Sequence, residues 1–282
     1  MRAVSIGLSA LAVVVVLSTA ALGEDATSAT HYRLCLSHKQ AGRMADALRE
    51  CRTAVAEQPD YQAAHLTLGS LLRQQGDLAG AAQEYRRVIE LAPDAGEAHA
   101  LLGALLLRQQ QYEEAERELR RAVEINDADA SSHANLAVAL RRRQQVQEAL
   151  THLDRAIELD ATQALYFNNR GVVYRQLGRL ADAQRDLQHA VELEADNAMY
   201  HFDLAVILRT QSQFEAAVTQ YREALRLNPN LAPALYDLGL AYQSLGRNDE
   251  AVETLERWLL LAGERDPERA RDVQQRLSNL GQ

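Results

Sequence analysis

Five histidines, His31, His65, His99, His133 and His201, stand at multiples of 34 residues from one another. Imidazoles in series suggest a metal, but zinc draws its ligands to about 2 Å from one ion. If each 34-residue stretch is one stacked unit, the rings are held about a helix diameter apart, ~10 Å. No metal or other cofactor is therefore expected. A second series keeps the same spacing with different chemistry: Asn135, Asn169, Asp203 and Asp237. Asparagine both donates and accepts, so amides at a fixed place can grip an extended peptide backbone whatever its side chains. Aspartate only accepts, so the Asp203 and Asp237 end favours donors or a basic segment. A third series is cationic: Lys39, Arg73, Arg141, Arg175 and Arg209, with Arg108 and Arg142 beside it. Such a stripe attracts acidic peptide or polymer, or relieves the dipole at the end of a helix. No nucleophile–base pair or phosphate loop accompanies these series, and no enzyme activity is expected.

The spacing dictates the elements that carry these residues. Ala47, Ala81, Ala115, Ala149, Ala183, Ala217 and Ala251 recur every 34 residues without insertion or deletion. A fixed period of this length marks a helix–turn–helix solenoid, each unit burying its apolar face on the next. Counted from Ser28, the eighth place is always small: Cys35, Gly69, Gly103, Ala137, Gly171, Ala205 and Gly239. The seventh is leucine except at Arg170, and the twenty-fourth is Cys51, Tyr85, Leu119, Leu153, Leu187, Tyr221 or Leu255. Small residues let two helix axes approach while large apolar ones fill the gaps between them. Gly42, Gly76, Gly178 and Gly246 mark the turns, and Pro59, Pro93 and Pro229 stop the second helix.

These residues resemble the tetratricopeptide repeat, whose motif runs L-G-x-x-Y, then A, then F or Y, then A and P. The resemblance covers residues 28–265 as seven units: 28–61, 62–95, 96–129, 130–163, 164–197, 198–231 and 232–265. It implies an all-α fold, a seven-repeat solenoid wound as a right-handed superhelix, with first helices lining a concave groove that binds a protein or peptide. It also implies which places face that groove. The fifth supplies Phe202 and Tyr236; the sixth, Asn135, Asn169, Asp203 and Asp237. The ninth supplies an apolar floor of Val138 and Val172 (with Val206 and Leu240), and the twelfth supplies Arg141, Arg175 and Arg209. The sixth-place series is similar to the asparagine ladder of some family members, with two rungs changed to aspartate. Two turns depart from the pattern, with Gln110 and Gln144 where glycine is usual. The clamp by which some members hold chaperone tails, lysine at the fifth place and asparagine at the ninth, is absent.

Arg170, in the run Asn168-Asn169-Arg170-Gly171, needs a partner if it takes the buried place of the other leucines. Asp186, one place before Leu187, can reach it, and a structural ion pair is expected. The two cysteines, Cys35 and Cys51, fall on the two helices of the first hairpin. They are expected to form a disulfide, the alternative being two thiols packed as small apolar groups.

The chain of 282 residues carries a formal net charge of −9, which argues against nucleic acid as a partner. Met1-Arg2, an apolar run from Ala3 to Leu17 and small residues around Ala21-Leu22-Gly23 make 1–23 a signal peptide. The alternative is an uncleaved anchor over residues 3–22, facing the periplasm. Residues 24–27 are a short linker. Asp266-Pro267 opens a closing helix within 266–282, with Ala270, Val273, Leu277 and Leu280 on one stripe. The expected function is that of an exported, periplasmic or secreted scaffold binding an extended protein segment. The alternative is a subunit of a cell-envelope complex (pilus, secretion or exopolysaccharide export) docking by its convex face.

Overall fold

A computed structural model describes residues 27–280; the signal-peptide assignment and most of the linker fall outside them. All regular structure among the described residues is helical, in two compact units that meet in sequence at Asp127 and Ala128. In the first unit the helices are α1 (27–40), α2 (Met44–Glu57), α3 (Gln62–Gln75), α4 (Leu78–Leu91), α5 (Gly96–Arg108) and α6 (Tyr112–Ile125). The second holds α7 (Ala130–Arg142), α8 (Val146–Leu159), α9 (Ala164–Gln176), α10 (Leu180–Leu193), α11 (Ala198–Thr210) and α12 (Phe214–Leu227). It ends with α13 (Ala232–Ser244), α14 (Asn248–Ala262) and α15 (Pro267–Leu280).

Each 34-residue stretch is thus a hairpin whose second helix packs on the first helix of the next within its unit. Close approach comes from the eighth place. A Cβ on Gly171 would lie 2.6 Å from Leu187 Cγ, so glycine lets α9 and α10 come together there without displacing that side chain. In the first unit Leu68, Tyr85, Leu102 and Leu119 are buried along this seam. At its start, Cys35 and Cys51 are joined by a disulfide and fully buried, tying α1 to α2. In the second unit the seam runs through Leu187, Leu204, Tyr221, Leu238 and Leu255 to Trp258. Val273 is buried with Trp258, and Leu277 and Leu280 pack against the same core, so α15 covers the last apolar face. Its first turn is capped as the sequence suggests, Asp266 Oδ1 accepting from the Arg269 amide at 3.1 Å.

The turns that lack glycine adopt the same backbone conformation as those that have it. Gln110 and Gln144 sit at φ 60° and 64°, and Ser212, which the sequence pattern did not single out, sits at 60°.

Candidate peptide-binding face

Within the second unit, α9 touches both α7 and α11, and α11 touches α13, so the first helices form one continuous inner layer. The sixth place of each lies on it, and the four polar rungs prove to be of two kinds. Asn135 and Asn169 are half-buried, and their amides have no hydrogen-bond partner among the described residues. The aspartates are engaged. Asp203 Oδ2 accepts from Asn168 Nδ2 at 3.1 Å, and an Asp237 oxygen lies 3.4 Å from an Arg209 nitrogen. Burial pushes both carboxyls above the usual aspartate range. For Asp203, the Asn168 bond and the fields of Arg175 and Arg141 oppose that rise; for Asp237, Arg209, Arg269 and Arg175 do so.

Val138 and Val172 are half-buried on α7 and α9, beside the polar rungs. Phe202 and Tyr236 are half-buried as well, their rings 6.0 Å from Tyr221 and 5.7 Å from Trp258. Along the twelfth place Arg141, Arg175 and Arg209 are all half-buried. Burial alone would lower Arg209, but the Tyr221 hydroxyl at 3.4 Å and Asp237 raise it instead. The Arg175 side chain makes no hydrogen bond or ion pair among the described residues, although Asp203, Asp237 and Tyr221 all feel its field.

Two contributions to this face were not visible in the repeat pattern. Asn168 is buried at 7% exposure, and its Oδ1 has no partner. The closing helix also reaches the inner layer: Tyr236 donates its hydroxyl to Asp272 Oδ2 at 3.0 Å, and Arg269 lies over the Tyr236 ring at 4.9 Å. Arg276 completes the group, 2.7 Å from Asp272 and 3.2 Å from Gln243 Oε1.

The histidine series is structural hydrogen bonding between the two helices of the five hairpins that carry it. Nδ1 of His65 and His99 meets Glu84 at 2.6 Å and Glu118 at 2.8 Å, while Nε2 meets the carbonyls of Pro59 and Pro93. His31, His133 and His201 reach Glu50, His152 and Gln220 in the same way, always 19 residues on. No group of three or more metal-ligating side chains is assembled among the described residues. Nor is any described helix long and apolar enough to cross a membrane.

Repeats five and seven break the histidine pattern, with Phe167 and Leu235 in its place. In repeat five, Asp186, which stands where the five histidine-bearing repeats hold the histidine's partner, is taken by Arg170 instead, Nε to Oδ2 at 2.6 Å. Arg170 Nη1 also donates to Asp154 at 2.9 Å. Burial alone would lower the guanidinium, but Asp186 and Asp154 outweigh it and raise it further. The expected pair is present, and a cavity of about 570 Å³ opens on the outer side against Phe167, Arg170 and His189.

Comparison with known proteins gives one consistent picture. A TPR repeat model matches residues 139–178 and 207–246; tetratricopeptide repeat models match 32–96, 72–134, and 164–197 with 232–264. No curated protein matches. Among solved structures, the APC/C hetero-tetramer Cut9–Hcn1 superposes with TM-score 0.71 at 16% identity, over 87% of this chain and 48% of that one. This chain therefore spans about half the length of that relative. A tetratricopeptide repeat protein from Parabacteroides merdae gives 0.68 at 11% identity, over 91% and 99% of the two chains. YrrB, a TPR protein with an unusual peptide-binding site, gives 0.54 at 21%, over 66% and 96%. At these identities the likeness is one of fold.

Proposed function

Because the chain belongs to the tetratricopeptide repeat family, we propose that it is a non-enzymatic scaffold holding an extended protein segment on the inner face of α7, α9, α11 and α13. One observation carries this reading. Asn135 and Asn169 present amides without partners among the described residues at the same place of α7 and α9, the first helices of consecutive repeats. A half-buried amide that satisfies neither donor nor acceptor internally costs stability unless water or a ligand completes it. A peptide main chain offers the matching alternation of N–H and C=O. Val138, Val172 and Phe202 add apolar contact beside the amides.

Export to the periplasm or beyond belongs to the same proposal. It is supported by the character of residues 1–23 and by a disulfide in the first hairpin, since such bonds persist in oxidising compartments. A second reading, docking of the outer helices in an envelope assembly, draws on the outer cavity beside Phe167 and Arg170.

A crosslinked pull-down from envelope extract separates the two. It compares the wild type with Asn135→Ala/Asn169→Ala and with Gln184→Ala/Gln188→Ala, two residues of α10 that line the outer cavity. A partner lost only with the asparagine variant supports the inner face. Equal capture by wild type and asparagine variant sinks it, and loss with the glutamine variant moves the function outward.

A further inference from the structure

We infer that the segment held on the inner face of the second unit is acidic, its side-chain carboxylates seating on the guanidinium of Arg175 between Arg141 and Arg209. The inference rests on the groove reading and adds the sign of the partner's charge.

Two features of the sequence pull in opposite directions here, since aspartate rungs favour a basic partner and arginines an acidic one. The contacts decide between them. Asp203 already accepts from Asn168 and Asp237 already faces Arg209, so each carboxylate has a partner within the protein. Arg175 is the complementary case. It is half-buried, with five N–H donors in a planar fork and no acceptor on them from any described residue. Asp203 and Asp237 act on it only through space, each beyond the 4.0 Å of an ion pair. A ligand carboxylate would supply the bidentate acceptor that the protein withholds.

Charge is also segregated across the thickness of the unit. The four inner helices α7, α9, α11 and α13 carry five arginines, of which Arg170 is turned to Asp186 and Asp154, and two carboxylates, whereas the outer helices α8, α10, α12 and α14 carry five arginines and twelve carboxylates. An acidic chain with net charge −9 thus keeps a cationic inner layer behind an anionic outer one. That arrangement steers an acidic segment to the inner face and repels it from the outside.

The test is a random dodecapeptide library panned against the full chain. Expected is recovery of sequences rich in Asp and Glu. A representative peptide should bind Arg175→Gln about tenfold more weakly, the worth of one charge-assisted pair. Its affinity should also fall between low salt and about 0.3 M salt. Because the Arg175 side chain bonds to nothing within the described residues, the variant keeps the fold, checked by its far-UV spectrum and thermal midpoint. Recovery of neutral or basic sequences, or unchanged binding by Arg175→Gln, overturns the acidic partner. The groove reading survives that result if Asn135→Ala/Asn169→Ala still abolishes binding. Peptides that bind all variants alike, or no peptides at all, overturn both.

Discussion

Arg170 stands where the other six repeats keep leucine, and Asp186 meets it with Nε 2.6 Å from Oδ2. The pair is the repeat's answer to losing a histidine. In repeats one to four and six, the fourth-place imidazole bonds the residue 19 positions on; in repeat five that place is Phe167, and Asp186 would be stranded. Arg170, stacked between Phe167 and Tyr174 at 5.6 and 5.7 Å, takes the vacant role.

Arg170→Leu is therefore expected to destabilise the protein although it restores the repeat pattern. Asp186, with 7% of its side chain exposed, would be left without its cation, at a cost of about 3 kcal/mol. Arg170→Leu/Asp186→Leu should recover most of that loss, because removing both charges leaves no buried carboxylate. Urea unfolding of the three proteins reads it directly. Equal destabilisation of single and double variants would show that packing, not charge, makes Arg170 necessary.

The disulfide between Cys35 and Cys51 closes a loop in the first hairpin, whose α1 is the first described helix. Cys35→Ala/Cys51→Ala should lower stability by about 3 kcal/mol on the loop-entropy estimate for a ~15-residue loop. The loss should fall on the first hairpin, since repeat arrays unfold locally from their ends. Amide hydrogen exchange would then show α1 and α2 opening while α9 to α14 keep their protection. Uniform loss of protection across both units would contradict this.

Backbone strain at the turns can be relieved. Gln144 holds φ 64° where repeat five has Gly178 at 72°. A left-handed non-glycine residue carries about 1 kcal/mol of strain, and glycine returns roughly half of that as unfolded-chain entropy. Gln144→Gly should thus gain about 0.5 kcal/mol, whereas Gly76→Ala, at φ 95°, should lose about 1 kcal/mol. Thermal midpoints of the two variants should move in opposite directions.

What was legible in the sequence is what the 34-residue period repeats. Gly171 and Leu187 must meet for a hairpin to close, so their kind recurs in every unit and the hairpins can be counted. The capping function of α15 was readable too, from Asp266-Pro267 and the stripe ending at Leu280. The division of the ladder was not. Asp203 is engaged by Asn168, 35 residues earlier, and Asp237 by Arg209 in the preceding repeat. Such partners are offset from the period, and a column of equivalent places cannot show them. Asp272, Arg269 and Arg276 were missed because α15 lies outside the period altogether. The histidine partners could have been found, since an acceptor stands 19 residues after each of the five histidines.

The orphaned oxygen of Asn168 sets how the fold responds to the charge on Asp203. Asn168 Nδ2 donates to Asp203 Oδ2, while its buried Oδ1 faces no donor. A proton on Asp203 would let the carboxyl donate back to that oxygen, closing a two-bond ring between the side chains. Burial raises Asp203 in the folded chain in the direction this pairing favours. A carboxyl raised on folding contributes stability that is fully present below its unfolded value, about 3.9, and lost as pH rises through the folded one. The amide introduced by Asp203→Asn would make both bonds at any pH, donating to Asn168 Oδ1 and accepting from Nδ2. The substitution should therefore raise the thermal midpoint at pH 7 relative to the wild type. The difference should shrink as the pH falls towards about 4 and Asp203 takes up its proton. A midpoint that drops at pH 7, or a difference that does not change with pH, would show that the ionised carboxylate is the form the fold requires.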